Sequence, residues 1–361
     1  MKVLVLANDL KGSLKAKEIC KIFSKFENYI ISDGGDGFLE AVLQAYPQAK
    51  KIFIKAPNAL LKIKKAPFLL TNKTAFIETA KICPMATLKK EELNIMKASS
   101  IGLGLVIKET IKKGAKNIYI GLGGVASSEG ASDTAKVFGW QFLDKENNSL
   151  ALGAASLLDL VKIKKPKKDL LKNIKITAVC DVKNCLLGKN GSAKVYGKQK
   201  GASPKEILVL EKALATYAKT VKKDLGININ TKHCAAAGAI ASGLKAFFKA
   251  DLIDGSKYIS RLLNLDKKIK QADLIITTEG SLDKQTFFGK APFEICRLAK
   301  KYKKPIIFIC GQNKLKNKKL LKQNNIVRVI ELKKYAKNTT QSMLFAKEIL
   351  RRIFKEELAG L

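Results

Sequence analysis

Short apolar runs recur along the chain, and each gives way to a polar, glycine-bearing turn and then to apolar residues at helical spacing. Runs at residues 3–7, 29–31, 74–78, 117–120, 174–179, 272–277, 305–309 and 326–330 predict buried strands. Between them, Leu14, Ile19, Ile22, Phe23 and Phe26 share one helical face, and residues 206–223 form a long amphipathic pattern. Ala346, Ile349, Leu350, Ile353, Phe354 and Leu358 make a closing helix of the same kind. Ser13 is the expected N-cap of the first helix, and Lys113-Gly114 closes the helix that opens at Ser99-Ser100. Residues 50–70, interrupted by Pro57 and Pro67, read as a boundary, and the lysine-rich stretch 161–175 as an exposed connector. Strands alternating with helices throughout predict an α/β architecture of parallel sheets.

In such sheets ligands gather outside the carboxyl ends of the strands. Asp9, Asp33, Glu78, Gly121, Asp181 and Glu279 each follow an apolar run, so the polar loops fall where a site would be. The loop Gly121-Leu122-Gly123-Gly124-Val125-Ala126-Ser127-Ser128-Glu129-Gly130 lies between a strand and a helix start. Glycines let backbone approach a ligand, and free N–H groups at a helix start favour negative charge. Ser127 and Ser128 add hydroxyl donors. This loop is expected to hold a phosphate. The stretch Asp33-Gly34-Gly35-Asp36-Gly37 packs three glycines and two acids into five residues, an arrangement unfavourable for stability unless it has a use.

At 361 residues the chain is long for one core, so two domains are expected. Hydrophobic residues make up 47%, too many for disorder. No apolar run approaches a membrane span, and the start does not resemble a signal peptide, which together predict a soluble cytoplasmic protein. The formal charge of +37 comes from 68 basic residues, of which only Arg261, Arg297, Arg328, Arg351 and Arg352 are arginines. The lysines are spread along the whole chain, and no helix-turn-helix, zinc-finger or RNA-binding signature occurs. The charge is therefore read as a solvated lysine surface that attracts anionic substrates, with no nucleic-acid partner. Seven cysteines without a CxxC pair fit reduced thiols, and the lone His233 excludes a multi-histidine metal site.

Phosphoryl transfer needs amides and lysines around the phosphates, carboxylates for Mg²⁺ and a base for the hydroxyl proton. All three types stand at the strand ends here. The Walker A pattern is absent. A rival reading exists at the same loop, because Gly121 to Ala126 satisfies G-x-G-x-x-A and Asp144 follows about twenty residues on, as in a dinucleotide fingerprint. An NAD-dependent oxidoreductase would not need so many separate acidic glycine loops.

The stretches Lys11-Gly12-Ser13, Asp33-Gly34-Gly35-Asp36-Gly37, Gly121 to Gly130, Cys180-Asp181-Val182-Lys183-Asn184, the alanine-glycine run from Ala235, and Glu279 to Lys290 resemble those of the bacterial type I glycerate kinase family, in the family's order and over nearly the whole chain. The resemblance implies ATP- and Mg²⁺-dependent phosphorylation of D-glycerate, most often at the 2-hydroxyl, giving 2-phosphoglycerate. A diverged kinase for another small hydroxy acid is the alternative within the same fold. It also implies two α/β domains with the active site in the cleft between them. One, Rossmann-like with a parallel sheet, would be built from residues 1–65 and 275–361; the other would be inserted at 66–274.

On that resemblance Asp181, Lys11 and Lys290 are the catalytic candidates, with Asp181 the general base. Ser13, Gly121, Gly123, Gly124, Ser127 and Ser128 would hold ATP. Asp9, Asn184 and Thr286 would meet the substrate. Asp33, Asp36, Glu279 and Asp283 are candidates for Mg²⁺, of which at most two touch it. A homodimer is left open. The sequence departs from the family where A-P-D-S-F-K-G-S is one residue shorter at Ala7-Asn8-Asp9-Leu10-Lys11, and where Ser281 replaces the arginine of G-E-G-R-L-D.

Overall fold

The computed structural model describes residues 1–287, 291–315 and 317–361, with the backbone alone at Lys284, Gln285 and Lys318. In chain order its strands are β1 (Val3–Ala7), β2 (Glu27–Ile30), β3 (Lys50–Pro57), β4 (Ile63–Thr71), β5 (Thr74–Glu78), β6 (Asn117–Leu122), β7 (Gln141–Leu143), β8 (Lys162–Lys164), β9 (Lys175–Cys180), β10 (Asp251–Asp254), β11 (Leu274–Leu282), β12 (Ile306–Asn313) and β13 (Ile326–Glu331). The chain divides into two compact units. One comprises Met1–Asp33, Glu40–Pro47 and Gly255–Leu361; the other comprises Gly34–Leu39 and Gln48–Asp254.

The first unit holds a five-stranded sheet in the order β13-β12-β11-β1-β2, parallel throughout. Val3 pairs with Leu274 and Leu6 with Thr277, so the two ends of the chain are stitched side by side. All five residues of β1 are buried, as expected of a parallel strand covered on both faces. Val5, Ile276 and Ile309 pack with Ile19, Phe23, Leu350 and Ile353 of the first and last helices in one core.

The second unit is built on a six-stranded sheet in the order β10-β9-β6-β5-β4-β3. From β10 to β5 the pairing is parallel, whereas β5-β4-β3 run antiparallel. Residues 50–70 are therefore not a boundary but a hairpin of that sheet. Asn58 makes its turn, its Oδ1 accepting from the N–H groups of Leu60 and Lys62, and Leu61 takes the left-handed φ of 62°. Part of the stretch 161–175 is likewise ordered, since β8 pairs with β7 in a separate two-stranded ribbon.

The long amphipathic helix runs Pro204–Leu225, and Ser203 caps it: its Oγ accepts from Glu206 N–H while the Glu206 carboxylate accepts from Ser203 N–H. Its buried face carries Leu210, Ala213, Leu214, Tyr217 and Val221. Among the described residues no helix is long and apolar enough to cross a membrane.

Candidate active site

In the second unit, three loops distant in sequence close on one another. A Cβ placed on Gly34 would lie 2.5 Å from the Val179 carbonyl oxygen at the end of β9. One on Gly121 would lie 2.5 Å from Gly34 O, and one on Gly123 would lie 2.6 Å from Gly35 Cα. A Cβ on Gly124 would sit 3.4 Å from Asp36 Oδ1. The glycines are thus required by backbone-on-backbone packing, and they bring the acid Asp36 beside the loop after β6. The Thr79 hydroxyl donates to the carbonyls of Gly121 and Gly123 and accepts from Gly123 N–H, fixing the first turn of that loop. Glu78, buried at the end of β5, accepts from Leu39 N–H in the first turn of the helix Phe38–Ala45, where a negative charge is favoured.

Further along, the loop is anchored on Cys83 and Met85 by Ala126 N–H to Cys83 O and Met85 N–H to Gly124 O. Ser127, Ser128 and Glu129 are all buried. Among the described residues, the N–H groups of Gly124, Ser127 and Ser128 find no hydrogen-bond acceptor. Backbone N–H groups without an intramolecular acceptor are the donors such a loop can offer a phosphate. Glu129 accepts from the Ser100 N–H at 3.1 Å and from the Ser100 hydroxyl. Burial, and then the nearby charge of Asp133, pushes its carboxyl up to about 7. Beside it, the Lys200 ammonium donates to Ser127 O at 2.6 Å and to Ser128 Oγ at 3.2 Å. Burial pulls that ammonium down to about 8, against the opposing pull of Glu129.

Asp181 follows β9 and shares a pocket of about 60 Å³ with Gly123, Gly124, Lys200, Ala237 and Gly238. That volume admits a few waters or one small anionic group, far less than a whole cofactor needs. A Cβ on Gly123 would lie 3.1 Å from Asp181 Oδ2, so the carboxylate stands against the glycine loop. Asn184 is held in its own turn, its Nδ2 donating to Asn190 O and its Oδ1 accepting from the hydroxyl of Tyr196, which lines that pocket. His233, buried, has its Nδ1 2.6 Å from Val182 O and props the turn after Asp181.

The first unit presents a second cluster. Asp9 Oδ1 accepts from Ala16 N–H and Oδ2 pairs with Lys15 at 2.6 Å. Asp9, not Ser13, therefore caps the helix Ala16–Ile22; the Ser13 hydroxyl donates back to Leu10 O inside the turn. Lys11 is exposed, and its backbone passes close to Gly280, where a Cβ would lie 2.9 Å from Lys11 N. Glu279 is buried and accepts from the Thr286 hydroxyl at 2.7 Å, while Asp283 N–H donates to Thr286 Oγ1. Asp33 and Asp283 are half-buried. Lys290 lies outside the described residues.

Among the described residues no group of three or more acid, cysteine or histidine side chains is placed to hold a metal. Mg²⁺ usually takes one or two carboxylates, several waters and substrate phosphate oxygens. Asp36 beside an amide-rich loop fits that donor set, as a full protein cage would not. The dinucleotide reading fares differently. Its fingerprint needs the acid at the end of the next strand of the same sheet. Here Asp144 follows β7, which belongs to the separate ribbon, and its carboxylate is occupied by the N–H groups of Glu146 and Asn148.

Sequence reasoning missed Lys200 and the part played by Glu129. Lys200 stands among many solvated lysines in the chain, and its only local signal was the pair of glycines, Gly197 and Gly201, that bracket it. In the sequence Glu129 is one more polar residue of the loop motif, and nothing there indicates that it is buried.

Comparison with known proteins adds a family. The model of the "Glycerate kinase family" matches residues 3–359. A glycerate 2-kinase of Escherichia coli is 32% identical over 324 residues, covering 86% of this chain and 85% of that protein. A glycerate kinase of Halalkalibacterium halodurans is 31% identical, covering 86% of each. A crystal structure assigned as a glycerate kinase 2 from Salmonella typhimurium LT2 superposes with a TM-score of 0.76 at 28% identity, covering 100% of this chain and 99% of that one.

Proposed function

The chain belongs to the glycerate kinase family, and on that premise we propose that it transfers the γ-phosphoryl group of ATP to the 2-hydroxyl of D-glycerate, with Mg²⁺, giving 2-phosphoglycerate. The observation that carries this reading is the amide-rich loop at Gly121–Gly124, packed on Gly34 and Gly35 and rimmed by Asp181.

Phosphoryl transfer asks little covalent chemistry of the protein; it asks for positioning and charge. Gly121, Gly123, Gly124, Ser127 and Ser128 line phosphate oxygens, with the unpaired amides of Gly124, Ser127 and Ser128 as donors. Asp181 takes the proton from the attacking hydroxyl. Lys11 and Lys290 meet phosphate or carboxylate oxygens. Asp9, both of whose oxygens are engaged, acts through the turn that places Lys11. Thr286 orients Glu279, and Asn184 holds the turn after Asp181. Asp33, Asp36, Glu279 and Asp283 are the carboxylates from which Mg²⁺ would take its one or two protein ligands. When bound, the metal neutralises charge on the β- and γ-phosphates.

A coupled assay of ADP release tests the reading. ADP should form from ATP only when D-glycerate is present, and EDTA should abolish it. Oxidation of NADH by hydroxypyruvate, with no ADP from glycerate, would replace the reading with the oxidoreductase one.

A further inference from the structure

Lys200 is the one lysine among the buried residues described, 3% exposed. It ends a short helical turn, Lys198–Lys200, and its ammonium lies against Gly238 of the alanine-glycine segment. A Cβ on Gly238 would lie 2.4 Å from Lys200 Nζ and 2.0 Å from Ser127 O, so only glycine fits over the ammonium. The segment adopts three successive left-handed residues, Ala237, Gly238 and Ala239, with φ of 51°, 62° and 67°. For alanine that conformation is unfavourable by about 1–2 kcal/mol per residue. Among the described residues, the N–H groups of Ala237 and Gly238 find no acceptor. Both residues line the same small pocket as Lys200 and Asp181.

An ammonium carries three protons. Ser127 O and Ser128 Oγ take two from Lys200. We propose that Lys200 is an anion-binding residue of this pocket, its remaining proton and its charge meeting an oxyanion of the substrate pair, with the amides of Ala237 and Gly238 as companion donors. By gripping Ser127 and Ser128 at the same time, it ties the shape of the phosphate loop to occupancy of the pocket. The oxyanion is either the carboxylate of the acceptor acid or a phosphate oxygen of the nucleotide. The titratable groups facing the ammonium are Glu129, Asp181 and Cys83, with the Tyr196 hydroxyl on the pocket wall. Burial lowers the ammonium, so at pH 8.5 it is partly deprotonated, unlike surface lysines, which stay fully charged.

The inference rests on the kinase reading for the names of its ligands, yet its test does not need turnover. D-glycerate and metal-free ATP are titrated separately, by calorimetry, into the wild-type chain and Lys200→Met, with circular dichroism to establish that the variant is folded. Affinity for one of the two should fall tenfold or more; a loss for D-glycerate assigns the carboxylate, a loss for ATP the phosphate. Changes below twofold for both in a folded variant overturn the proposal.

Should Lys200→Met not fold, the wild type decides. At pH 8.5 both ligands are fully ionised, so binding at Lys200 draws a proton from the buffer, read from titrations in two buffers of different ionisation heat. Proton uptake supports the proposal, and affinity for both ligands that stays unchanged from pH 7 to pH 10 overturns it. Lysine-dependent anion binding without ADP formation from glycerate would sink the kinase reading and leave this one standing.

Discussion

Asp181 and Asp36 stand against the glycine loop, whereas Asp9 spends both its oxygens on a helix start and a lysine. This division orders the expected effects of mutation. Asp181→Asn keeps the shape and removes the base; it should lower kcat by about 10²–10⁴-fold while ATP affinity stays within about threefold, as calorimetry would read. Near-normal turnover would remove Asp181 from that role. Glu129 gives a pH effect with a definite sign. Its folded carboxyl sits near 7, against about 4.3 when unfolded, so between those values the folded chain binds more protons and stability falls as pH rises. Glu129→Gln mimics the neutral form, and its melting temperature relative to wild type should climb between pH 5 and pH 7.5. Among the thiols, burial pushes Cys20, Cys296 and Cys310 up to about 12 and raises Cys83 and Cys180 as well. Cys185 alone is exposed, so a maleimide should label that residue and spare the rest in the native chain. At this scale, loop acids and glycines could be read from the sequence because their types are rare and their setting after apolar runs is regular. Lys200 could not, because burial, not residue type, distinguishes it from its neighbours.

Elements were legible where periodicity was strong. The parallel strands of both sheets other than β10, and the helix Pro204–Leu225, lie where the apolar pattern put them; β10 (Asp251–Asp254), with an acid at each end of four residues, offered no apolar run to read. The hairpin β3-β4 was hidden by Pro57 and Pro67, which mimic a break, although Pro67 pairs with Phe53 inside the sheet. Ser13 looked like a cap because of its type and place. The Leu10–Leu14 turn instead folds back on itself and hands the cap to Asp9. The reciprocal cap at Ser203 is testable: Ser203→Ala should destabilise the second unit by about 1 kcal/mol, a shift of a few degrees in melting temperature. Gly243→Ala should do more, because its Cβ would lie 2.0 Å from Gly130 O in the helix Ile240–Phe248. Overpacking of that kind typically costs about 1–3 kcal/mol.

For the whole molecule, family membership makes this chain a small-molecule kinase, and its formal charge of +37 would draw in the proposed substrates, both of which are anions. Such a field raises encounter rates and is screened by salt. Raising ionic strength from about 50 to about 500 mM should increase KM for both substrates severalfold and change kcat by less than about twofold. A kcat that falls as steeply as kcat/KM would place the charge effect in the chemical step instead. The proposed reaction is defined by the transfer itself and by the oxygen that receives the phosphoryl group. ³¹P NMR of a reaction holding the enzyme, ATP, Mg²⁺ and D-glycerate reads both at once. A new phosphomonoester signal, split into a doublet by the single proton on C2, should grow as ATP is lost. A triplet, from a phosphate on the terminal CH₂, would contradict the assigned hydroxyl, and no new phosphomonoester at all would contradict the proposed function.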